Sequence, residues 1–422
     1  MPPRTPAVRP ARHRSTNLHR RTRIAGSALV ALLSARAIGA QQTVSLRAAT
    51  DSALARGSRL ALGRTDTAAA AALVTMARAW QNPALSASYT KDDPRYHVSL
   101  DVPLDLPHIR RLRVQAARAT RDATLAELAL TRALVRHDVR TAYAEALAAS
   151  GRAGLSHETR SGAARLLGMV RARRDAGDAS EMDVELAEVE SARSESDFAG
   201  DSLGAMSAVL SLQLLMGLPA EQVTIALSDS LVALVAAGGD ATTGVREPLP
   251  VAAAAATLRA REREVRLARR RGALVPSLLV GADLPALSGD SMQLLPVVGV
   301  SVPLPLFNRF GGDIALARAQ RDRAAIQLQA ARLESAADLA RARATRDVAI
   351  ERVRRGQAAA ATARRVAARA LTAYEEGEAA LPVVLQAQRS ARETLAQLLD
   401  ALASAASAQS AIRLLTSERS TP

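Results

Sequence analysis

The amino-acid sequence predicts a mainly α-helical protein with short β-strands, in which a β-hairpin and a long antiparallel helical hairpin each occur twice. Aromatic residues make up only 2% of the 422 residues, a composition typical of long helices packed side by side. Two pairs of short segments alternate apolar and polar residues, which indicates β-strands. Several landmarks also recur at a constant spacing, which indicates an internal duplication.

Residues 1–40 have the pattern of a secretory signal peptide. A basic segment ends at Arg23, an apolar stretch follows at residues 24–33, and cleavage is expected after Ala40. The segment contains eight Arg and no acidic residue, so it accounts for eight of the fifteen net positive charges of the chain. The alternative interpretation is a disordered basic tail that binds nucleic acid.

The sequence does not favour an enzyme. It contains no dinucleotide-binding glycine motif, no P-loop and no nucleophile elbow, and its His residues lack the spacing of a zinc site. We therefore expect no catalytic residues, no cofactor and no metal. Because the sequence has no Cys, we also expect neither disulfides nor a lipid anchor on an N-terminal Cys.

Three Arg-rich stretches could suggest nucleic-acid binding, but Ala or acidic residues interrupt them at helical spacing. This pattern favours solvated helix faces, so no nucleic-acid partner is expected. The Arg-rich stretches are residues 110–121, 259–271 and 341–355.

Beyond residue 40 no run of about 18 uninterrupted apolar residues occurs, and no membrane-spanning helix is predicted.

The first β-hairpin is predicted at residues 83–105. A helix expected over residues 45–80 ends before Pro83, and apolar residues then alternate with polar ones on both sides of a turn-rich segment. The helical pattern that starts after Pro107 continues to about Arg174, which is roughly 100 Å at 1.5 Å per residue. A helix of this length is not typical of a compact globular domain.

The first long helix breaks at a predicted hairpin tip near residues 175–180. Ser180 and Asp183 form a capping-box pattern that starts a return helix, which is predicted to end near Leu215. Residues 216–248 are rich in Gly and Pro and are predicted to connect two repeats.

The second half of the chain repeats this order. A helix expected over residues 249–272 is followed by a predicted β-hairpin at residues 276–304. A long helix is then predicted from about Gly312 to Tyr374, and a second tip near residues 375–380.

The spacing of landmarks supports the duplication. Pro103 and Pro303 at the strand ends, and Gly177 and Gly377 at the tips, are each 200 residues apart. Before the loop of the β-hairpin the spacing is 193, so the length difference lies in that loop, as expected at a free end of the molecule. The predicted segments are a signal peptide at 1–40, a first repeat at 41–215, a connecting segment at 216–248, a second repeat at 249–417 and a tail at 418–422.

The strands are predicted to belong to a membrane-spanning β-barrel. Segments of about eight to ten residues with one apolar face suit tilted transmembrane strands. Four strands cannot close a barrel, and open edges are not tolerated in lipid, so several chains are expected to share one barrel. Five of the eight aromatic residues lie near the ends of the predicted strands, as interfacial aromatics do, with chance placement as the alternative. These residues are Trp80, Tyr89, Tyr96, Phe307 and Phe310.

Four motifs resemble those of the TolC-like outer-membrane efflux proteins. Residues 302–312 (VPLPLFNRFGG) resemble the strand-to-helix junction of that family, and residues 82–85 (NPAL) resemble its entry into the first strand. Residues 214–219 (LLMGLP) are similar to the end of its first hairpin. Residues 374–377 (YEEG) followed by 384–389 (VLQAQR) are similar to its second hairpin tip.

The resemblance covers residues 45–417 and implies a homotrimer. In this arrangement a shared twelve-stranded transmembrane β-barrel, surrounded by outer-membrane lipid, continues as a trimeric α-barrel in the periplasm. The resemblance also implies docking to a periplasmic adaptor (membrane fusion) protein and an inner-membrane pump. The chain would then export substrates passively as the channel of a tripartite efflux system. The sequence does not determine whether the substrate is a cation, a drug or another compound.

Candidate site residues follow from these positions. If the acidic residues of the tips line the periplasmic aperture, they would favour cations and could set gating; the alternative is that they only cap helices. The two tip glycines are expected to supply turn conformations. The tip candidates are Asp175, Gly177, Asp178, Asp183, Tyr374, Glu375, Glu376, Gly377 and Glu378. The residues expected to face the barrel lumen are Ser99, Asp101 and Ser301.

The alternative function is a soluble periplasmic coiled-coil protein, such as an adaptor-type structural protein. An adaptor usually carries one helical hairpin and compact β modules, whereas this sequence carries two hairpins in a duplication. A nucleic-acid-binding helical protein is a third hypothesis, which the predicted signal peptide disfavours.

Overall fold

The structure, a computed structural model, describes residues 42–236, 247–271, 276–284, 294–304 and 306–416. The predicted signal peptide and C-terminal tail lie outside these residues. Within them the protein is mainly helical and contains the predicted hairpin unit twice. The elements in chain order are β1 Gln42–Val44, α1 Leu46–Arg56, α2 Ser58–Arg78, β2 Ala84–Tyr89, β3 Tyr96–Pro103, α3 Pro107–Asp175, α4 Glu181–Leu215, β4 Ile225–Leu227, α5 Leu231–Ala236, α6 Leu249–Arg271, β5 Ser277–Leu284, β6 Leu295–Ser301, α7 Gly311–Glu375 and α8 Leu381–Thr416.

The four strands of the two hairpins form one antiparallel sheet in the order β2-β3-β5-β6. They contain six to eight residues, fewer than the sequence pattern suggested. Strand pairing ends at or next to Pro83, Pro103 and Pro276, and Pro296 lies within the edge strand β6, where a missing N–H is tolerated. β3 and β5 join the two repeats, and β2 and β6 form the edges.

The helices continue the sheet as a single curved layer, here called the wall. α2 leads into β2, α3 follows β3, α6 leads into β5 and α7 follows β6, and these helices pack in the same order as the strands. α3 folds back as α4, and α7 folds back as α8, so two helical hairpins extend away from the sheet. α3 has 69 residues and α7 has 65, a length of about 100 Å at 1.5 Å per residue.

The single helix expected at residues 45–80 is divided in the structure. Gly57 separates α1 from α2 because it adopts an extended conformation, with φ −61° and ψ 130°. A Cβ at Gly57 would lie 2.4 Å from the Ala53 carbonyl oxygen, so a larger residue does not fit at this break. The apolar spacing continues across Gly57, which explains why the sequence pattern did not reveal the division.

α4 has a length and composition close to those of a membrane-spanning helix, although no such helix is predicted from uninterrupted apolar runs. Among the described residues it is the one helix that is long and apolar enough to do so by length and composition. Ser, Gly and Asp interrupt its apolar positions, so it contains no uninterrupted apolar run of about 18 residues. Its apolar side chains, including Leu203 and Leu214, are largely exposed in the single chain.

A core beside the connecting segment joins the start and the end of the first repeat. β1 pairs in parallel with β4, and Ile225 of β4 is buried in one cluster with Val139 and Leu212. Tyr143 is fully buried there and donates a 2.8 Å hydrogen bond to the Val44 carbonyl oxygen. Burial raises the pKa of Tyr143 to about 12, because the charged phenolate would lose its hydration.

Gln213 lies fully buried in the same region and fixes the chain reversal after α4. Its Nε2 donates to the carbonyl oxygens of Pro219 and Gln222, and its Oε1 accepts from the Thr224 N–H. A buried amide without such partners would be strongly destabilising. The three bonds therefore make this polar residue compatible with the core.

We expect Tyr143→Phe to destabilise the protein by about 1 kcal/mol, because the change removes the hydrogen bond to Val44 and retains the ring. Urea unfolding in detergent, followed by circular dichroism, measures the free energy of unfolding. Tyr89→Phe is the matched control, since Tyr89 is exposed. Equal effects of the two changes would contradict a stabilising role for the Tyr143 hydroxyl.

The raised pKa predicts how this difference varies with pH. The neutral hydroxyl is favoured in the folded protein, so its contribution is complete below about pH 10, the ordinary pKa of Tyr, and is lost as the pH rises toward 12. The free-energy difference between wild type and Tyr143→Phe should therefore shrink over this interval. A constant difference would be inconsistent with the buried hydroxyl.

Candidate functional site in the sheet and at the hairpin tips

The sheet sorts its side chains onto two faces. Strand pairing brings the three candidate lumen residues, Ser99, Asp101 and Ser301, onto the same face. The opposite face carries only apolar and aromatic residues among those described. They are Leu85, Ala87, Tyr89, Tyr96, Val98, Leu100, Val102, Leu278, Val280, Ala282, Leu284, Pro296, Val298 and Val300.

The face that carries Ser99, Asp101 and Ser301 is here called the polar face. Its side chains form hydrogen bonds across the strands. The hydroxyls of Ser86 and Ser99 are 2.7 Å apart, and His97 Nδ1 lies 2.8 Å from Asp283 Oδ1. Asp101 Oδ1 is buried without a partner among the described groups. Along β3 the polar residues are less exposed than the apolar residues between them, so the polar face lies on the concave side of the sheet.

Both edges of the sheet are open. β2 and β6 each pair on one side only, so each presents backbone N–H and C=O groups that no described strand binds. Exposed apolar side chains lie on both edge strands, including Leu85, Val298 and Val300. These edges have the properties of strands that pair with further strands.

The two hairpin tips have the same backbone structure. Gly177 and Gly377 adopt φ of +87° and +81°, a left-handed conformation that favours Gly. In both tips the residue after the Gly donates its N–H, at 2.8 Å, to the carbonyl four residues before the Gly. This Schellman motif ends each long helix and satisfies a carbonyl that would otherwise lack a partner.

The acidic candidates at the tips fall into two groups. Asp175 pairs with Arg174 at 2.6 Å, and Asp183 completes a capping box with Ser180 at the start of α4. The other acids are exposed and have no ion pair among the described residues; they are Asp178, Glu375, Glu376 and Glu378. No group of three or more His, Cys, Asp or Glu side chains in the described part of the chain could hold a metal ion.

Tyr374 lies between the two hairpins. It is 5% exposed and packs with Val170, Val184 and Leu381. Burial raises the pKa of Tyr374, an effect that Arg173 opposes. The Arg173 guanidinium lies 4.9 Å from the centre of the Tyr374 ring and also donates a hydrogen bond to the Tyr374 carbonyl oxygen. Arg173 on the first hairpin thus contacts the second hairpin through both the ring and the backbone carbonyl of Tyr374.

Two ion pairs join the return helices of the hairpins. Arg389 on α8 donates to the buried Glu190 on α4, and Arg392 donates to Asp197. The hydrogen bond to Glu190 raises the pKa of Arg389, so this guanidinium remains charged. These contacts make the tips of the two repeats one packed unit.

The sequence did not indicate Arg173 or these ion-paired residues as functional, because contacts between separate hairpins have no local pattern. One signal was available. Glu190 lies 13 residues after Gly177, and Arg389 lies 12 residues after Gly377, so the two side chains are at nearly the same height in the repeated hairpins.

Comparison with known proteins identifies the same architecture. The family model for outer membrane efflux proteins matches residues 49–218 and 249–418, one segment in each repeat. No curated protein sequence matches the chain.

Several solved structures have similar folds. The outer membrane protein VceC from Vibrio cholerae is 19% identical with a TM-score of 0.70, over 87% of this chain and 95% of that one. The outer-membrane channel OprN is 19% identical with a TM-score of 0.71, over 87% and 89%. The CmeC outer membrane channel of Campylobacter jejuni is 14% identical with a TM-score of 0.73, over 88% and 87%.

The TM-scores show a shared fold despite the low identities, and the family model identifies the repeats by sequence. Its two segments include the sheet strands and both helical hairpins, and they leave out most of the connecting segment. The chain therefore belongs to the family of outer membrane efflux proteins, with a TolC-like fold and an internal repeat.

Proposed function

We propose that three copies of the chain form a channel through the outer membrane that exports substrates passively, as one part of a tripartite efflux pump. The observation that carries this proposal is the four-stranded sheet with one apolar face and two open edges. A twelve-stranded barrel shared by three subunits would pair every edge, as a lipid environment requires. Its convex apolar face would contact lipid, and Ser99, Asp101 and Ser301 would line the lumen.

Exposed apolar side chains on the helices support closure by further copies of the chain. Leu214 on α4 is 70% exposed, and Leu333 on α7 is 74% exposed. Burial of such a side chain against a neighbouring subunit contributes about 1.5–3 kcal/mol. Neighbouring copies would cover these residues in a trimeric α-barrel, which explains the apolar composition of α4 without a membrane around it.

The helical tube would lie in the periplasm, with the hairpin tips farthest from the outer membrane. The predicted signal peptide would direct export of the chain across the inner membrane. At the tips the channel would meet a periplasmic adaptor (membrane fusion) protein and an inner-membrane pump. The exposed acids Asp178, Glu375, Glu376 and Glu378 would surround the aperture and favour cations.

The contact between Arg173 and Tyr374 would hold the aperture closed. It joins the long helix of the first hairpin to that of the second, at their ends. A wider aperture requires the hairpins to separate, and separation would break both the ring contact and the hydrogen bond.

Fractionation of cells that express the full chain tests the proposed function. We expect the processed protein in the outer membrane, and after detergent extraction its light-scattering mass should correspond to three chains. Channel activity in planar bilayers should accompany this mass. A soluble monomer or dimer in the periplasm would exclude the shared barrel and would favour the adaptor-type coiled-coil protein.

Replacement of Arg173 tests the contact at the tips. Arg173→Gln removes a cation–π contact and a charged hydrogen bond, together roughly 2–4 kcal/mol, so single-channel conductance should rise severalfold. Arg171→Gln is the control, because Arg171 pairs with Glu188 within the first hairpin. If Arg173→Gln conducts like the wild type, this contact does not close the channel.

Neutralisation of the exposed tip acids tests ion preference. The change of Asp178, Glu375, Glu376 and Glu378 to Asn or Gln should lower the permeability of cations relative to anions, because each subunit loses four negative charges at the aperture. Reversal potentials in a KCl gradient measure this ratio. An unchanged ratio would leave these acids with solvation and helix-capping roles.

A further inference from the structure

A cavity lined by arginines lies where α3 and α6 meet the sheet. It has a volume of about 910 Å³ and is open to solvent. Arg111 comes from α3, and Arg266, Arg269 and Arg270 come from α6, with His108 beside them. These four Arg side chains are exposed, and none forms an ion pair with a described carboxylate. We call this feature the arginine cavity.

The arginine cavity is on the outer side of the wall. A second cavity near the same level, of about 420 Å³, is lined by residues of α2, α3, α6 and α7. α2 and α7 are the first and last helices of this four-helix order, so both can reach one cavity only where the wall curves around it. The second cavity therefore lies on the concave side of the wall. On α6, Leu267 and Ala268 line this second cavity, whereas Arg266, Arg269 and Arg270 lie on the opposite face of the helix.

The arginine cavity lies immediately below the sheet, at the level of exposed aromatic residues. Arg111 is eight residues after β3 ends, and Arg270 is seven residues before β5 begins. Trp80, between α2 and β2, is 64% exposed and lies 4.7 Å from the Arg110 guanidinium; Phe307, between β6 and α7, is fully exposed. Trp side chains concentrate at the headgroup level of a membrane.

The charge of the arginine cavity suits a phosphate group. Four guanidiniums around one cavity repel one another unless an anion lies between them, and guanidinium binds phosphate oxygens in a bidentate manner. α3 adds positive potential, because its first turn contains no acid and no side chain caps it. Glu262 lies on the same face of α6, one turn farther from the sheet, and forms no ion pair with Arg266.

We propose that the arginine cavity binds the phosphate of an anionic phospholipid, of the phosphatidylglycerol class, in the periplasmic leaflet of the outer membrane. This inference rests on the proposed function, because it requires the sheet to span that membrane. The acyl chains lie against the apolar face of the sheet above the cavity, which includes Val98, Leu100 and Val280. A soluble phosphate makes no such apolar contact, so the position of the cavity favours a lipid.

Quenching of Trp80 fluorescence tests the proposal, because Trp80 is the only Trp of the chain. The purified full chain is placed in nanodiscs of phosphatidylcholine and phosphatidylglycerol, with bromine, a contact quencher, on the acyl chains of one lipid or the other. Half-maximal quenching is expected at a roughly fivefold lower fraction of brominated phosphatidylglycerol than of brominated phosphatidylcholine. Added inorganic phosphate should leave this preference intact.

Two variants with the same change in charge locate the effect. In a chain with Arg266→Gln, Arg269→Gln and Arg270→Gln, both brominated lipids should quench Trp80 fluorescence equally. The control chain carries Arg364→Gln, Arg365→Gln and Arg369→Gln, which are exposed positions near the tip end of α7, and should keep the preference.

The outcomes separate this inference from the proposed channel. Equal quenching of the wild type by both lipids overturns the lipid site but not the channel. A preference for phosphatidylglycerol that survives in the Arg266, Arg269 and Arg270 variant also overturns the lipid site. A preference that inorganic phosphate removes does the same. Absence of quenching by either lipid places Trp80 outside the membrane and also overturns the lipid site, while the channel is decided by the trimer mass and the conductance.

Discussion

The packing of two helical hairpins against one another constrains the rest of this protein. A shared core at the tips joins Val170 and Val184 of the first hairpin to Leu381 and Val384 of the second, so both hairpins must end at the same height. Packed hairpins of unequal length would leave apolar residues of the longer one in water. The distance from Pro103 to Gly177 equals the distance from Pro303 to Gly377, whereas the spacing before the strand-to-strand loop differs by seven residues.

A wall that is one layer thick can bury only what lies between neighbouring elements. Small Ala residues therefore dominate the helix contacts, and the larger buried side chains collect at the tips and around Tyr143. The remaining residues are sorted between a concave side, which carries the polar face of the sheet, and a convex side with its apolar face and the arginine cavity. In the proposed trimer, closure of the wall on itself would bury the apolar edges that a single chain leaves exposed.

The duplication gives the two tips the same backbone and different side chains. By the 200-residue spacing, Arg173 corresponds to Ala373 and Tyr374 corresponds to Arg174. The contact between Arg173 and Tyr374 therefore has no equivalent in the reverse direction. The six hairpins of the proposed trimer would alternate between two kinds of neighbour contact, and only one kind contains this pair.

Hydrophobic periodicity and turn chemistry depend on nearby residues, so the sequence by itself determined the helices and strands, their duplication and the two faces of each strand. It also identified Gly177 and Gly377, because the left-handed end of a helix favours Gly. It could not identify the break at Gly57, where the apolar spacing continues without change. The contact of Glu190 with Arg389 depends on how each helix is rotated about its axis, which packing against several neighbours decides. Only the tertiary structure decided which side of the wall is concave, because alternation distinguishes two faces but curvature comes from the assembled layer.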